Sequence, residues 1–274
     1  MKAGQIPSAT LLHGDCVDVM RSLGAGTVDA IITSPPYAEQ RKSTYGGISQ
    51  EDYPAWTVQW MNEARRLLKP NGSAIINISP HKTNGQLADY VLRTRLALRE
   101  AGWAEIEELI WHKPNAMPGG KPDRPRRVWE SLLWYGQHGN VWADPLANGT
   151  PHKEPERGQR AFHTQSPAKR NAWDHKGGSN GVTPLRDVAR ATNLVTLAKA
   201  RTSGVDHPAP FPVALAEWCG KLICPTGGVI MDPFSGSGST GVAAIRNGWS
   251  YIGIDSVQEY VHMSRARIER EVAA

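Results

Sequence analysis

The sequence predicts an α/β protein built on a mainly parallel sheet of seven strands. Short apolar runs recur near residues 11, 30, 75, 108, 133, 230 and 253, and segments with helical spacing separate most of them. A glycine-rich turn joins one late run to a helix, as α/β ligand folds require. A chain of 274 residues is long enough for one large domain carrying an insertion.

Leu11-Leu12-His13 and the turn Gly14-Asp15 read as a short strand whose edge carries a carboxylate. Val17, Met20 and Leu23 then fall on one face of a short helix. Val28, Ala30, Ile31 and Ile32 form a buried strand that stops at Thr33-Ser34-Pro35-Pro36-Tyr37. The prolines fix φ near about −65° and donate no backbone hydrogen. A hydroxyl, acceptor carbonyls and an aromatic face therefore share one stiff loop, which suits a flat ring bearing an exocyclic amine. Taken alone, the same five residues equally describe a turn that ends a strand and buries a tyrosine. Residues 40–47 are polar and long enough to form a lid.

Trp56, Trp60, Ala64, Leu67 and Leu68 recur at helical spacing and are read as core; Lys69-Pro70-Asn71-Gly72 ends that helix before a strand over 74–78. A second unit repeats the pattern, with Leu87, Val91, Thr94 and Leu98 on a helix and a strand over 106–111. Trp111-His112-Lys113-Pro114-Asn115 opens a proline-rich basic loop containing Arg124, Arg126 and Arg127, and a strand follows over 132–135. Its cations can position phosphates without reading bases.

Residues 137–206 lack sustained periodicity and are expected to lie outside the main sheet as an insertion. The segment 137–201 holds ten Lys or Arg against five acids, which accounts for the chain's net charge of +5. Polyanion binding and a solvated surface loop both fit that excess. The main domain is then split into halves, 1–136 and 207–274.

After Pro210-Phe211-Pro212, a helix through Val213, Leu215, Trp218 and Leu222 leads to the strand Val229-Ile230-Met231. That strand runs into Asp232-Pro233-Phe234-Ser235-Gly236-Ser237-Gly238-Ser239-Thr240-Gly241 and a helix; the last strand ends at Asp255. The spacing matches a dinucleotide fingerprint, so a nicotinamide enzyme is one reading. Too little chain follows Asp255 to complete that fold downstream, so the site has to be finished by the N-terminal strands.

The three cysteines, Cys16, Cys219 and Cys224, form no Cys-x-x-Cys pair and no even disulfide set, which implies a reducing, cytoplasmic setting and no metal site. No signal peptide and no apolar run of about 18 residues suggests a membrane.

With the Ser-Pro-Pro-Tyr loop first and the glycine loop last, the chain resembles the S-adenosylmethionine-dependent DNA amino-methyltransferases of circularly permuted order. The resemblance implies a Rossmann-like sandwich with S-adenosyl-L-methionine as cofactor and double-stranded DNA as substrate. It assigns Ser34, Pro35, Pro36 and Tyr37 to catalysis. Asp232, Phe234, Gly236 and Gly238 fall to the cofactor's methionine-binding loop, Asp255 to the ribose, Asp15 to the adenine and Phe211 to the methionine side. Trp111, Lys113, Asn115 and Pro118 look like the loop that helps hold the flipped base, and residues 137–206 fall where the family carries its target-recognition region. From the charge pattern, Arg124, Arg126 and Arg127 and, within 137–206, Lys169 and Arg170 with Trp173 are expected to contact the DNA. In that family Ser before Pro-Pro usually accompanies N4-cytosine methylation, so N4-cytosine is expected and N6-adenine is the alternative. A methyltransferase for RNA or another substrate and a non-enzymatic DNA-binding protein are the remaining readings. A homodimer and a cognate restriction endonuclease are further partners that the resemblance allows.

Overall fold

The computed structural model describes residues 8–40, 47–116, 125–151, 188–198 and 211–273. The chain divides into two compact units, one of Met1–Asp144 with Thr192–Ala274 and one of Pro145–Ala191. In chain order the strands are β1 (Ala9–His13), β2 (Val28–Thr33), β3 (Leu68–Ile78), the short β4 (Lys82–Thr83) and β5 (Gln86–Leu87), and β6 (Ala104–His112). There follow β7 (Trp129–Gly136), β8 (Thr150–Pro151), β9 (Val188–Ala189), β10 (Leu194–Thr196), β11 (Val229–Asp232) and β12 (Ser250–Asp255). The helices are α1 (Cys16–Ser22), α2 (Tyr53–Leu67), α3 (Tyr90–Glu100), α4 (Val213–Ile223), α5 (Ser239–Arg246) and α6 (Gln258–Val272).

The larger unit carries one sheet in the order β1-β12-β11-β2-β3-β7-β6-β10. Every pairing is parallel except those of β7, which runs against both β3 and β6. β2 shows why the centre is parallel: all six of its residues are buried, as a strand covered by helices on both faces must be. Its side chains alternate between the faces. Ile31 joins Met20, Trp60, Leu67, Leu98 and Ile76 on the α1–α3 side. Ala30 and Ile32 join Leu215, Leu222, Val242 and Ile268 on the α4–α6 side. Each large apolar side chain so buried contributes about 1.5–3 kcal/mol. Asp29, inside the same strand, is held by the Lys69 ammonium at 2.7 Å and the Val229 N–H at 2.9 Å.

Each of the seven expected runs forms a strand of this sheet, but the sheet has an eighth. Leu194–Thr196 pairs with β6 in parallel, so the expectation that residues 137–206 lie outside the sheet is corrected. The entrance to that region also belongs to the larger unit: the Trp142 N–H donates to Asn71 O and the Asp144 N–H to Leu222 O, both at 2.8 Å. The short strand escapes sequence reading because three residues are too few to show a period. Within the smaller unit, β8 and β9 pair antiparallel. Among the described residues no helix is long and apolar enough to cross a membrane.

Candidate active site

In sequence β11 is followed by β12 on one side of it, whereas β2, its other neighbour, is followed by β3 further out. Such a reversal leaves a crevice outside the strands' carboxyl ends. A cavity of about 130 Å³ opens there. Its walls are Asp15 and Cys16 after β1, Pro36 after β2, Pro233 and Phe234 after β11, and Asp255 and Ser256 at the end of β12. Ile48 and Trp56 complete it. Trp56, expected in the core with Trp60, is thus a wall of the site: it starts α2 at the sheet's ligand edge, and its ring packs 5.4 Å from that of Phe234. Trp60, one turn on, is fully buried.

Local hydrogen bonds fix the two carboxylates. Asp15 caps α1 by accepting the Val17 N–H at 2.9 Å and the Asp18 N–H at 3.3 Å. Asp255 accepts the Gly236 N–H at 2.8 Å on one oxygen and the Val257 N–H at 2.9 Å on the other. A carboxylate has about four acceptor sites, so Asp15 keeps capacity for a ligand's hydroxyl or amino hydrogens, and Asp255 lines the same cavity.

The glycine loop has the dinucleotide spacing without the dinucleotide chemistry. A pyrophosphate cradle needs free backbone N–H groups. Here the Gly236 N–H is taken by Asp255, that of Gly238 by Ser235 O at 2.9 Å and that of Ser235 by Ile254 O at 2.8 Å. Two acids and no Lys or Arg line the described cavity. Such walls repel a phosphate and suit a ligand that is cationic and rich in hydroxyl donors. Gly238 has φ +78°, and a Cβ there would lie 2.4 Å from Ser264 Oγ, so glycine is required for the loop to pack on α6.

Asp232, expected at the cofactor, has an internal job. One oxygen accepts the Thr33 hydroxyl at 2.6 Å and the Phe234 N–H at 3.0 Å, and the other accepts the Thr240 hydroxyl at 2.8 Å. It therefore ties the end of β2 to the turn after β11. Burial pushes its pKa up to about 6 against the pull of those three hydrogen bonds, with Asp255 adding to the rise. Burial, with Asp15 beside it, likewise pushes the Cys16 thiol up to about 12, which makes it a poor nucleophile. Phe211 packs with the α4–α6 core and is not among the cavity's walls.

On the other side of the Pro-Pro turn lies a network that sequence reading missed. Asn77 of β3, only 3% exposed, directs its Nδ2 to Ser34 Oγ at 3.4 Å, Tyr37 Oη at 3.1 Å and Glu130 Oε2 at 2.9 Å. The Tyr37 hydroxyl donates to Glu130 Oε2 at 3.1 Å. Glu130 also pairs with Lys113, whose ammonium lies 4.4 Å from the Trp111 ring centre. Burial first and Glu130 second push the Tyr37 pKa well above its ordinary value, so the phenol keeps its proton. Glu130 arrives there because β7 is reversed: its first residues, not its last, reach the ligand edge. Strand polarity leaves no trace in an apolar run, and the acid at the head of that run is the only sequence signal.

The residues expected at DNA divide. Lys113 is paired with Glu130, its side chain 14% exposed. Asn115 is exposed on a turn closed by the Ala116 N–H to Lys113 O at 3.1 Å. Arg126 and Arg127 are exposed, the first reaching Ala116 O and the second lying 4.6 Å over the Trp129 ring. Pro118, Arg124, Lys169, Arg170, Trp173 and residues 41–46 of the lid expected at 40–47 lie outside the described residues.

A family model described as DNA methylase matches residues 28–266. Type II methyltransferase M.ScaI of Streptomyces caespitosus is 28% identical over 95% of this chain and 81% of its own length. M.Cfr9I of Citrobacter freundii is 27% identical over 97% and 90%. Among solved structures, the PvuII DNA methyltransferase, described as cytosine-N4-specific, superposes with TM-score 0.70 at 21% identity, covering 98% of this chain and 94% of that one. A DNA modification methylase from Thermus thermophilus, solved with S-adenosyl-L-methionine, gives 0.62 at 24% identity, covering 97% and 96%.

Proposed function

The chain belongs to the DNA methylase family, and from that premise we propose that it methylates the exocyclic N4 of cytosine in double-stranded DNA. The observation that carries the reading is the two-sided Ser34-Pro35-Pro36 loop: Pro36 walls the anion-lined cavity while Ser34 and Tyr37 join the Asn77 network.

When bound, S-adenosylmethionine supplies a methyl group on a positively charged sulfur. Asp255 and Asp15 would hold its ribose and adenine through hydrogen bonds, and Trp56 and Phe234 offer aromatic faces to the cation. The target base cannot reach the cavity inside a duplex and is flipped out. Tyr37, its hydroxyl anchored by Glu130, presents a fixed ring for the base to stack on. Ser34 Oγ and the Pro35 carbonyl accept the hydrogens of the exocyclic amine, which concentrates its lone pair on nitrogen. The cofactor would supply the methyl carbon and depart as a neutral thioether, while the amine held by Ser34 and the Pro35 carbonyl would release one proton to solvent. Alignment of this kind supplies about 7–11 kcal/mol of the barrier. Ser34 favours cytosine because its short side chain draws the amine close to the loop. The reading extends to a cytoplasmic place of work, a cognate restriction endonuclease and a homodimer.

Nucleosides from DNA of a methylation-free bacterial strain expressing the protein decide the product by mass spectrometry. N4-methyldeoxycytidine is the expected result. N6-methyldeoxyadenosine alone reverses the base, and 5-methyldeoxycytidine sinks the mechanism, because carbon methylation needs a nucleophile that the loop lacks.

A further inference from the structure

The last turns of β3 are apolar except at one place. Ala74, Ile75, Ile76 and Ile78 are the side chains a strand covered on both faces calls for, and Asn77 among them is only 3% exposed. Its amide is not there to complete its own hydrogen bonding: Oδ1 is buried and has no partner among the described residues. A buried polar atom left unpaired costs stability, and such costs are carried where function requires them.

What the amide gains lies on its nitrogen. The Glu130 carboxylate only accepts, so Nδ2 and not Oδ1 must face it, and that 2.9 Å contact fixes which way the amide points. One amide hydrogen goes to Glu130. The other lies toward the Pro-Pro turn, where Tyr37 Oη at 3.1 Å and Ser34 Oγ at 3.4 Å share it. Tyr37 Oη is tied a second time through its own hydrogen, which goes to Glu130 Oε2 at 3.1 Å. Asn77 therefore reaches both ends of the turn from a separate strand. The prolines stiffen the backbone between Ser34 and Tyr37, but both side chains still rotate about their own bonds, and only a tie from outside the loop fixes them together.

We propose that Asn77 is a positioning residue for methyl transfer: from β3 it holds the Ser34 oxygen and the Tyr37 ring at a fixed spacing, so that the amine's acceptor and the stacking face meet the flipped base together. The inference rests on the amine-methylation reading above.

The test is steady-state methyl incorporation from labelled S-adenosylmethionine into bacterial DNA by the full chain, at a temperature where each variant is folded, with thermal melting and calorimetric cofactor binding alongside. Asn77→Leu has nearly the native shape and no donor. It should lower kcat by about ten- to a hundredfold, the scale of a misalignment of about 1 Å. The KM for DNA and the cofactor's Kd should stay close to wild type, because Asn77 touches neither phosphate nor the cofactor cavity. The melting temperature should also hold, since the unpaired oxygen leaves with the donors. Tyr37→Phe keeps the ring and removes one end of the tie, so adding Asn77→Leu to it should cost less than Asn77→Leu costs alone. Unchanged kcat in Asn77→Leu, a loss confined to KM, or fully additive losses in the double variant would each overturn the proposal. If Asn77→Leu melts early, the smaller Asn77→Ala decides, and wild-type kcat there overturns it. A wild-type protein that methylates no DNA would refute the reading beneath, which separates the two failures.

Discussion

Asp232 is buried with no cation among its described partners, and its chemistry can be read as stability against pH. Its folded pKa of about 6 lies above the ordinary 3.8, so the folded chain binds this proton more tightly than the unfolded chain does. The carboxyl therefore favours folding fully below about pH 4, and that preference is lost as the pH rises through about 6. Asp232→Asn keeps the shape and removes the titration. The stability of wild type relative to the variant should fall by roughly 2 kcal/mol between pH 4 and pH 7, as urea unfolding would show. A difference that stays flat with pH would count against the buried charge. At this scale the sequence is legible wherever a side chain's neighbours are its own turn: Asp15, the Ser-Pro-Pro loop and Asp255 all reach one cavity. It is illegible where the neighbour comes from a distant strand, as with Asn77 and Glu130, or where a cation meets an acid unseen in sequence, as with Lys113.

The start of α5 shows an element held by packing as well as by conformation. Gly85 and Gly238 have nearly the same backbone, φ +80° and +78°, but a Cβ at Gly85 meets nothing within 4 Å while one at Gly238 strikes Ser264. Gly85→Ala should cost about 1–2 kcal/mol from the left-handed backbone alone, and Gly238→Ala clearly more. Equal shifts in the melting temperature of the two variants would refute the packing role. The long elements were readable because burial imposes period: β2 with its two faces, α2 with Trp60, Ala64 and Leu67 inward. β10 was not, since its place depends on an open sheet edge rather than on a pattern of its own.

For the whole molecule the distribution of charge bears on DNA. Arg126 and Arg127 are exposed beside the ligand edge, whereas Lys113 is paired with Glu130. Replacing both arginines with alanine should weaken DNA binding and reduce the slope of log affinity against log salt by about 0.9 for each phosphate they neutralise. Fluorescence anisotropy over a salt series measures it, and an unchanged slope removes both from the interface. The order of the sheet has a consequence for synthesis. β1 pairs with β12, Ala9 opposite Tyr251, so during synthesis β1 waits for a partner made about 240 residues later before it can bond. The Ser-Pro-Pro loop is likewise made early, and Asp232, which fastens the end of its strand, late. A nascent chain therefore carries that loop for most of translation without the cavity walls that follow β11 and β12. The cavity is complete only once β12 has taken its place between β1 and β11.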